Sequence, residues 1–158
     1  MPTTITPNLW FDTQALEAAE LYCEVFPNSS IDFVSHYTEV DGDKAGQVLT
    51  VDFVLDGNRF TGINGGPMFQ FDEAVSFLVE CADQAEVDRY WDALIADGGQ
   101  ESQCGWLKDR FGLSWQIVPK SMDTVMRSGD AAAIDRVMRA MYGMKKLDVA
   151  ALDAAAAG

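Results

Sequence analysis

The chain has 158 residues, with 11 Lys and Arg against 25 Asp and Glu, a formal charge of −14 and a pI near 4.2. Apolar residues make up 48%, enough for a packed core, which excludes disorder. The scarcity of cations argues against nucleic acid, an acidic membrane surface or a polyanionic substrate as partner.

The three cysteines, Cys23, Cys81 and Cys104, are widely spaced, and His36 is the single histidine. That set predicts neither a disulfide framework nor a structural zinc site, and it suits a reduced, cytoplasmic protein. No run approaches 18 apolar residues, so no membrane span is expected. The first residues lack a positive region followed by an apolar stretch, so no secretory leader is expected either.

In chain order, a short apolar strand is predicted over 5–11, with Pro7 near its start. Asp12 or Thr13 is expected to cap a helix over 15–25 whose buried face carries Leu16, Ala19, Cys23 and Phe26. A strand over 31–37 follows. The alternation of Leu49, Val51, Phe53 and Leu55 predicts a strand over 48–55. Asp56-Gly57-Asn58 reads as a hairpin turn into a return strand over 59–63. After the loop Asn64-Gly65-Gly66-Pro67 the order repeats. A strand is predicted over 75–79. Asp83 caps a helix over 84–96 that buries Val87, Trp91, Leu94 and Ile95, and Asp97-Gly98-Gly99 supplies a glycine C-cap. Strands over 106–108 and 114–118 are joined through Asp109-Arg110-Phe111-Gly112, and one further strand between Gly99 and Trp106 is poorly marked. Gln14-Ala15 and Gln84-Ala85 open the two helices alike, and each half carries a glycine hairpin. A duplicated βαβββ unit of about 70 residues is the economical account. Beyond Pro119 the pattern is helical. Ile134, Val137, Met138 and Met141 form an amphipathic stripe ending at Gly143, and 147–157 reads as a weaker, alanine-rich helix.

Few residues offer chemistry. His36, on a strand, could act as a general base but reads first as a strand-surface residue. Cys104 precedes Gly105-Trp106 and Lys108, yet has no histidine near it in sequence to activate it. Glu73 stands between the glycine loop and the next strand, where a cavity mouth can form. The glycine loop lacks a GK[ST] ending and no G-x-G-x-x-G follows a strand, so no phosphate or dinucleotide site is predicted. On the strand 114–118, Ser114, Gln116 and Val118 share one face and Trp115 and Ile117 the other. Polar groups on one face of a sheet are how a ligand pocket gains oriented hydrogen bonds.

The run Ile5 to Asp12, the Asn64-Gly65-Gly66-Pro67 loop with Phe69 and Phe71, the stretch from Glu73 to Cys81 and the segment from Cys104 to Pro119 together resemble the PhnB-like branch of the vicinal-oxygen-chelate superfamily. This is the superfamily of glyoxalases, bleomycin-resistance proteins and extradiol dioxygenases. The branch is often labelled 3-demethylubiquinone-9 3-methyltransferase. The resemblance covers about residues 4–119. It implies an α+β fold of paired βαβββ modules, about 4–66 and 72–119, forming a cupped mixed sheet, usually in a homodimer; 120–158, read as helical from its own pattern, is a C-terminal extension beyond the resemblance. The superfamily's metal ligands fall, on this chain, near Pro7 and Thr61 in the first module and at about Ser76 and Gln116 in the second. None of these is His, Asp or Glu, and serine and glutamine are poor transition-metal ligands. The expectation is therefore a metal-free, cofactor-free pocket for a small organic molecule. Trp10 and Trp106 are its aromatic walls, and Thr61, Ser76 and Gln116 its hydrogen-bonding groups. Trp115 is a further aromatic candidate unless alternation turns it to the helix side. Two alternatives stay open: a metal-independent isomerase or lyase using Glu73 or His36 as base, and the methyltransferase of the family label, for which no methyl-donor motif is present. The homodimer is also expected from sheet edges that need cover and from the methionine-bearing tail helix.

Overall fold

The computed structural model describes residues 5–158. Residue 4, where the first module is expected to begin, and the start of the stretch read for a leader lie outside them. The chain divides into two compact units, one ending at Phe71 and one beginning at Asp72.

The first unit comprises β1 (Asn8–Phe11), α1 (Ala15–Val25), β2 (Ser30–His36), β3 (Val48–Leu55) and β4 (Asn58–Asn64). Its sheet runs in the order β1-β4-β3-β2. β1 is parallel to β4 and the other pairs are antiparallel. The alternation in β3 buries Val51, Phe53 and Leu55, and Phe53 stacks on Phe60 with ring centroids 5.5 Å apart. The turn between β3 and β4 has Asp56 at φ 45° and Gly57 at φ 81°. Two consecutive left-handed residues are what a two-residue hairpin with native twist requires.

The buried face of α1 departs from expectation. Ala15, Ala18, Ala19 and Tyr22 are buried, whereas Leu16 and Cys23 are only half-buried. The helix lies on its small residues. A Cβ built on Gly62 would come within 3.1 Å of the Ala15 Cβ, so the backbones approach too closely for leucine on that line. Neither Asp12 nor Thr13 caps this helix. Gln14 is the N-cap residue and makes no side-chain cap bond. The Ala15 N–H is taken at 2.8 Å by the side-chain oxygen of Asn64, from the end of β4. A short 3-10 segment, Glu39–Lys44, lies between β2 and β3, in a stretch with no apolar periodicity.

The second unit repeats the plan with β5 (Ser76–Cys81), α2 (Gln84–Ile95), β6 (Gln100–Glu101), β7 (Trp106–Lys108) and β8 (Ser114–Pro119). Its sheet order is β5-β8-β7-β6, again with the first strand parallel to the last. Two sheets with the same connectivity are the structural counterpart of the duplication. Asp83 caps α2 by accepting the Glu86 N–H at 3.0 Å, and Glu86 returns the bond to the Ala82 N–H at 2.8 Å. This reciprocal pair satisfies two helix-terminal donors. Val87, Tyr90, Trp91 and Leu94 are buried, so Tyr90 takes the core place expected of Ile95. The C-cap is Ala96 rather than glycine; left-handed Asp97 and Gly98 then turn the chain. β6 has only two residues, which explains its weak sequence signal.

Trp115 faces the helix side and is 3% exposed. The tail forms α3 (Lys120–Met126), α4 (Ala131–Tyr142) and α5 (Val149–Ala157), of which α3 had no clear signal in sequence. Val137, Met141, Leu147 and Leu152 form a buried cluster, with Cys104, Met122 and Met138 packed against it. The tail thus shares a core with the second unit. Ile134 and Met138, expected inside, are half-buried, and Ala133 is buried in their stead. Among the described residues no helix is long and apolar enough to cross a membrane.

Candidate functional site

Strand register decides which side chains share a face. In the second sheet α2 covers the face bearing Leu107, Trp115 and Ile117. The opposite, open face carries Ser76 and Leu78 from β5, Ser114 and Gln116 from β8, and Trp106 and Lys108 from β7. The pairings that place them together are Ser76 with Ser114 and Leu78 with Gln116, then Trp106 with Gln116 and Lys108 with Ser114. Gln116 donates its side-chain N–H to the Ser76 hydroxyl at 2.8 Å. Trp106 lies directly across the strand pair from Gln116, and Leu78 is 57% exposed. The open face therefore combines an amide, the Ser76 hydroxyl, an indole and an apolar side chain, while the Ser114 hydroxyl is fully buried.

Glu73 joins this group from the turn before β5. Its carboxylate meets the Lys108 ammonium at 2.6 Å, and the hydrogen bond to Lys108 holds the Glu73 carboxyl below the usual carboxylate range. The neighbouring Asp72 carbonyl accepts from the Ser114 hydroxyl at 3.4 Å. Glu73 is thus a cation-bound carboxylate, an arrangement that favours its charged form and makes it a weaker base than a free carboxylate. Lys108 has the signal that sequence reading missed: alternation from Trp106 puts it on the same face, although Lys108-Asp109-Arg110 reads as a charged turn.

Asp109 itself is structural. Its carboxylate is buried and accepts the N–H groups of Phe111 and Leu113 at 2.9 and 3.0 Å and the Trp115 indole N–H at 2.9 Å.

In the first sheet, the open face carries Trp10 and Thr61. Thr61 donates its hydroxyl hydrogen to Asp52 at 2.6 Å, and its N–H bonds the Pro7 carbonyl at 3.0 Å. The Trp10 indole donates to the Gly66 carbonyl at 2.9 Å, and Phe69 meets its ring edge-on at 5.1 Å. The glycine loop is shaped by this contact, since a Cβ on Gly65 would fall 2.1 Å from the Trp10 ring. His36 ends the edge strand β2, exposed and opposite Val48. Two strands separate it from β1, so the structure does not bring it to Trp10 and Thr61. Ser76, Trp106, Gln116 and Glu73 do converge within one unit.

The family model described as 3-demethylubiquinone-9 3-methyltransferase matches residues 3–118. The PhnB protein of Bacillus cereus is 32% identical, with 74% of this chain and 99% of that chain covered at a TM-score of 0.67.

The chain belongs to this family.

Two further solved structures share the fold of this PhnB-like chain. Protein PA1353 from Pseudomonas aeruginosa is 18% identical, covering 75% of this chain and 98% of its own at a TM-score of 0.58. The fosfomycin resistance protein FosX from Listeria monocytogenes is 13% identical, covering 80% and 98% at a TM-score of 0.58. At these identities the two likenesses show a shared fold alone. No curated protein matches the chain.

The vicinal-oxygen-chelate resemblance noted in the sequence implies a metal, and the residues here do not suit one. Ser76 and Gln116, at the positions the resemblance gives to metal ligands, do converge, but they converge as a hydroxyl bonded to a carboxamide. Neutral oxygen donors of this kind hold transition metals poorly. Thr61 is engaged by Asp52 and Pro7 has no donor side chain. Among the described residues, no three His, Cys, Asp or Glu side chains gather where they could share an ion.

Proposed function

We propose that this PhnB-like protein binds a small organic molecule, without a metal or other cofactor, on the open face of its second sheet. The Gln116–Ser76 hydrogen bond at 2.8 Å carries the reading. Two strands bring their side chains together where a metal centre would be built, and the groups delivered can recognise a neutral polar group of a ligand. Trp106 offers an aromatic surface beside them, and the Glu73–Lys108 pair adds one charge of each sign at the edge. A few oriented polar groups beside apolar surface are the ordinary composition of a ligand site. Trp10 and Thr61 are proposed as ligand-facing groups of the first sheet's open face, already oriented by Gly66 and Asp52. The protein is proposed to act as a homodimer in the cytoplasm.

Catalysis by Glu73 or His36 receives less support. Glu73 is tied to Lys108, and His36 stands alone at an exposed strand end. A thermal-shift screen of metal-free protein against a metabolite panel, S-adenosylmethionine and divalent metals tests the proposal. A ligand at 100 times its dissociation constant should add about 2.7 kcal/mol, and Gln116→Ala should weaken that gain. Stabilisation by S-adenosylmethionine alone, or by a metal alone, would overturn it.

A further inference from the structure

The turn that delivers Trp106 is made by two left-handed residues in succession, Cys104 at φ 59° and Gly105 at φ 83°. A non-glycine residue persists there only when its surroundings impose it. Both N–H groups of the turn are taken by the tail: Cys104 donates to the Met144 carbonyl and Gly105 to the Lys145 carbonyl, each at 2.8 Å. On the other side, the Ile117 N–H donates to the Gly105 carbonyl at 2.8 Å. A Cβ on Gly105 would sit 3.0 Å from the Leu147 Cδ1, so the tail packs against the bare backbone of the turn.

The tail segment is itself held from three directions. Leu147 belongs to the cluster of Val137, Met141 and Leu152, against which Cys104 packs. Gln84 of α2 donates to the Leu147 carbonyl at 3.2 Å and accepts the Val149 N–H at 2.7 Å. Lys146 bridges Asp88 and Asp92 of α2 at 3.1 and 2.9 Å, and Lys145 reaches Glu101 of β6 at 3.4 Å. The charges are complementary in bulk as well. Residues 120–158 hold six of the 11 Lys and Arg against five acids, and residues 1–119 hold the other five against twenty acids. The family match ends at residue 118, so the tail half of this arrangement lies outside it.

We infer that the C-terminal segment is a clasp that positions Trp106 on the open face of the second sheet, with Lys146 and Leu152 as positioning residues. This rests on the reading of that face as the binding site. The clasp fixes the 104–105 turn through its two carbonyls, and the turn fixes where the indole stands beside Gln116. The shape of the ligand wall is then set by a segment that does not itself line it.

The test uses the full chain labelled with 5-fluorotryptophan and needs no ligand. The Trp106 fluorine resonance is assigned by its loss in Trp106→Phe. In Leu152→Ala and Lys146→Gln, the Trp106 resonance should move while that of Trp10 stays. Amide hydrogen exchange at Cys104 and Gly105 should accelerate at least tenfold relative to Phe53. Lys146→Arg should restore both, and Leu152→Val gives the same test in milder form if the alanine variant does not fold. Faster exchange in α5 with Cys104, Gly105 and Trp106 unchanged would overturn the clasp. Failure of every small molecule to bind would instead overturn the proposed function and leave this result standing.

Discussion

The Asp109 carboxylate receives the Trp115 indole N–H at 2.9 Å, and its other oxygen gathers the backbone N–H groups of Phe111 and Leu113. One buried acid thereby ties the β7–β8 turn to the core beneath the open face. Asp109→Ala leaves three donors, two of them in buried bonds, without this acceptor and should cost about 3 kcal/mol. Urea denaturation measures it. Trp115→Phe removes one of the three bonds and should cost less.

Asn64 joins three elements. It takes the Ala15 N–H, donates to the Val48 carbonyl at 3.1 Å, and its own carbonyl accepts the Tyr37 hydroxyl at 2.6 Å. Asn64→Ala should destabilise by about 2 kcal/mol, the upper range for losing a helix cap. Asn64→Asp, which keeps the acceptor at the helix N-terminus and loses only the donor to Val48, should recover part of that. Equal losses in the two variants, measured by thermal melting, would contradict the capping role.

These contacts show where sequence reading reaches and where it stops. Asp83 was legible as a cap because its partner, Glu86, is three residues away. The Asp56-Gly57 turn and the β3 alternation are likewise written in neighbouring residues. The Asn64 cap spans 49 positions, so nothing near α1 could announce it, and the local candidates Asp12 and Thr13 stood in its place. The buried face of α1 is not legible locally, because Leu16 and Cys23 outrank alanine in hydrophobicity, whereas the close approach at Gly62 favours alanine. In the second sheet the polar face was legible from the alternation of Ser114 and Gln116. The Glu73–Lys108 pair was not, since it depends on how the turn before β5 folds back.

The Glu73–Lys108 pair sets a pH expectation. Lys108 depresses the folded-state pKa of Glu73 below its ordinary 4.5. A depressed carboxylate contributes stability that is present above the unfolded-state value and is lost as pH falls through the folded-state value. A carbon-detected titration should find the Glu73 carboxyl below 4.5 in the natural protein and shifted upward in Lys108→Met. No upward shift in that variant would show that Lys108 is not the cause.

Cys81 is fully buried, and burial pushes its thiol up to about 12. At pH 8 its thiolate fraction is about one in ten thousand. Ellman's reagent at that pH should leave Cys81 unmodified until the chain unfolds, and Cys81→Ser should remove only the slowest-reacting thiol. Rapid modification of Cys81 in the folded protein would contradict its burial beneath the sheet.

Metal-free binding at the open face of the second sheet is open to direct observation. The most direct measurement is a nitrogen–proton correlation spectrum of protein dialysed against chelator, titrated with the metabolite panel. A binding molecule should move the Gln116 side-chain amide and the Trp106 indole signals together, and the protein should hold well under one transition metal per chain. Binding that appears only after zinc, nickel, manganese or iron is restored, or that leaves both signals in place, would contradict it.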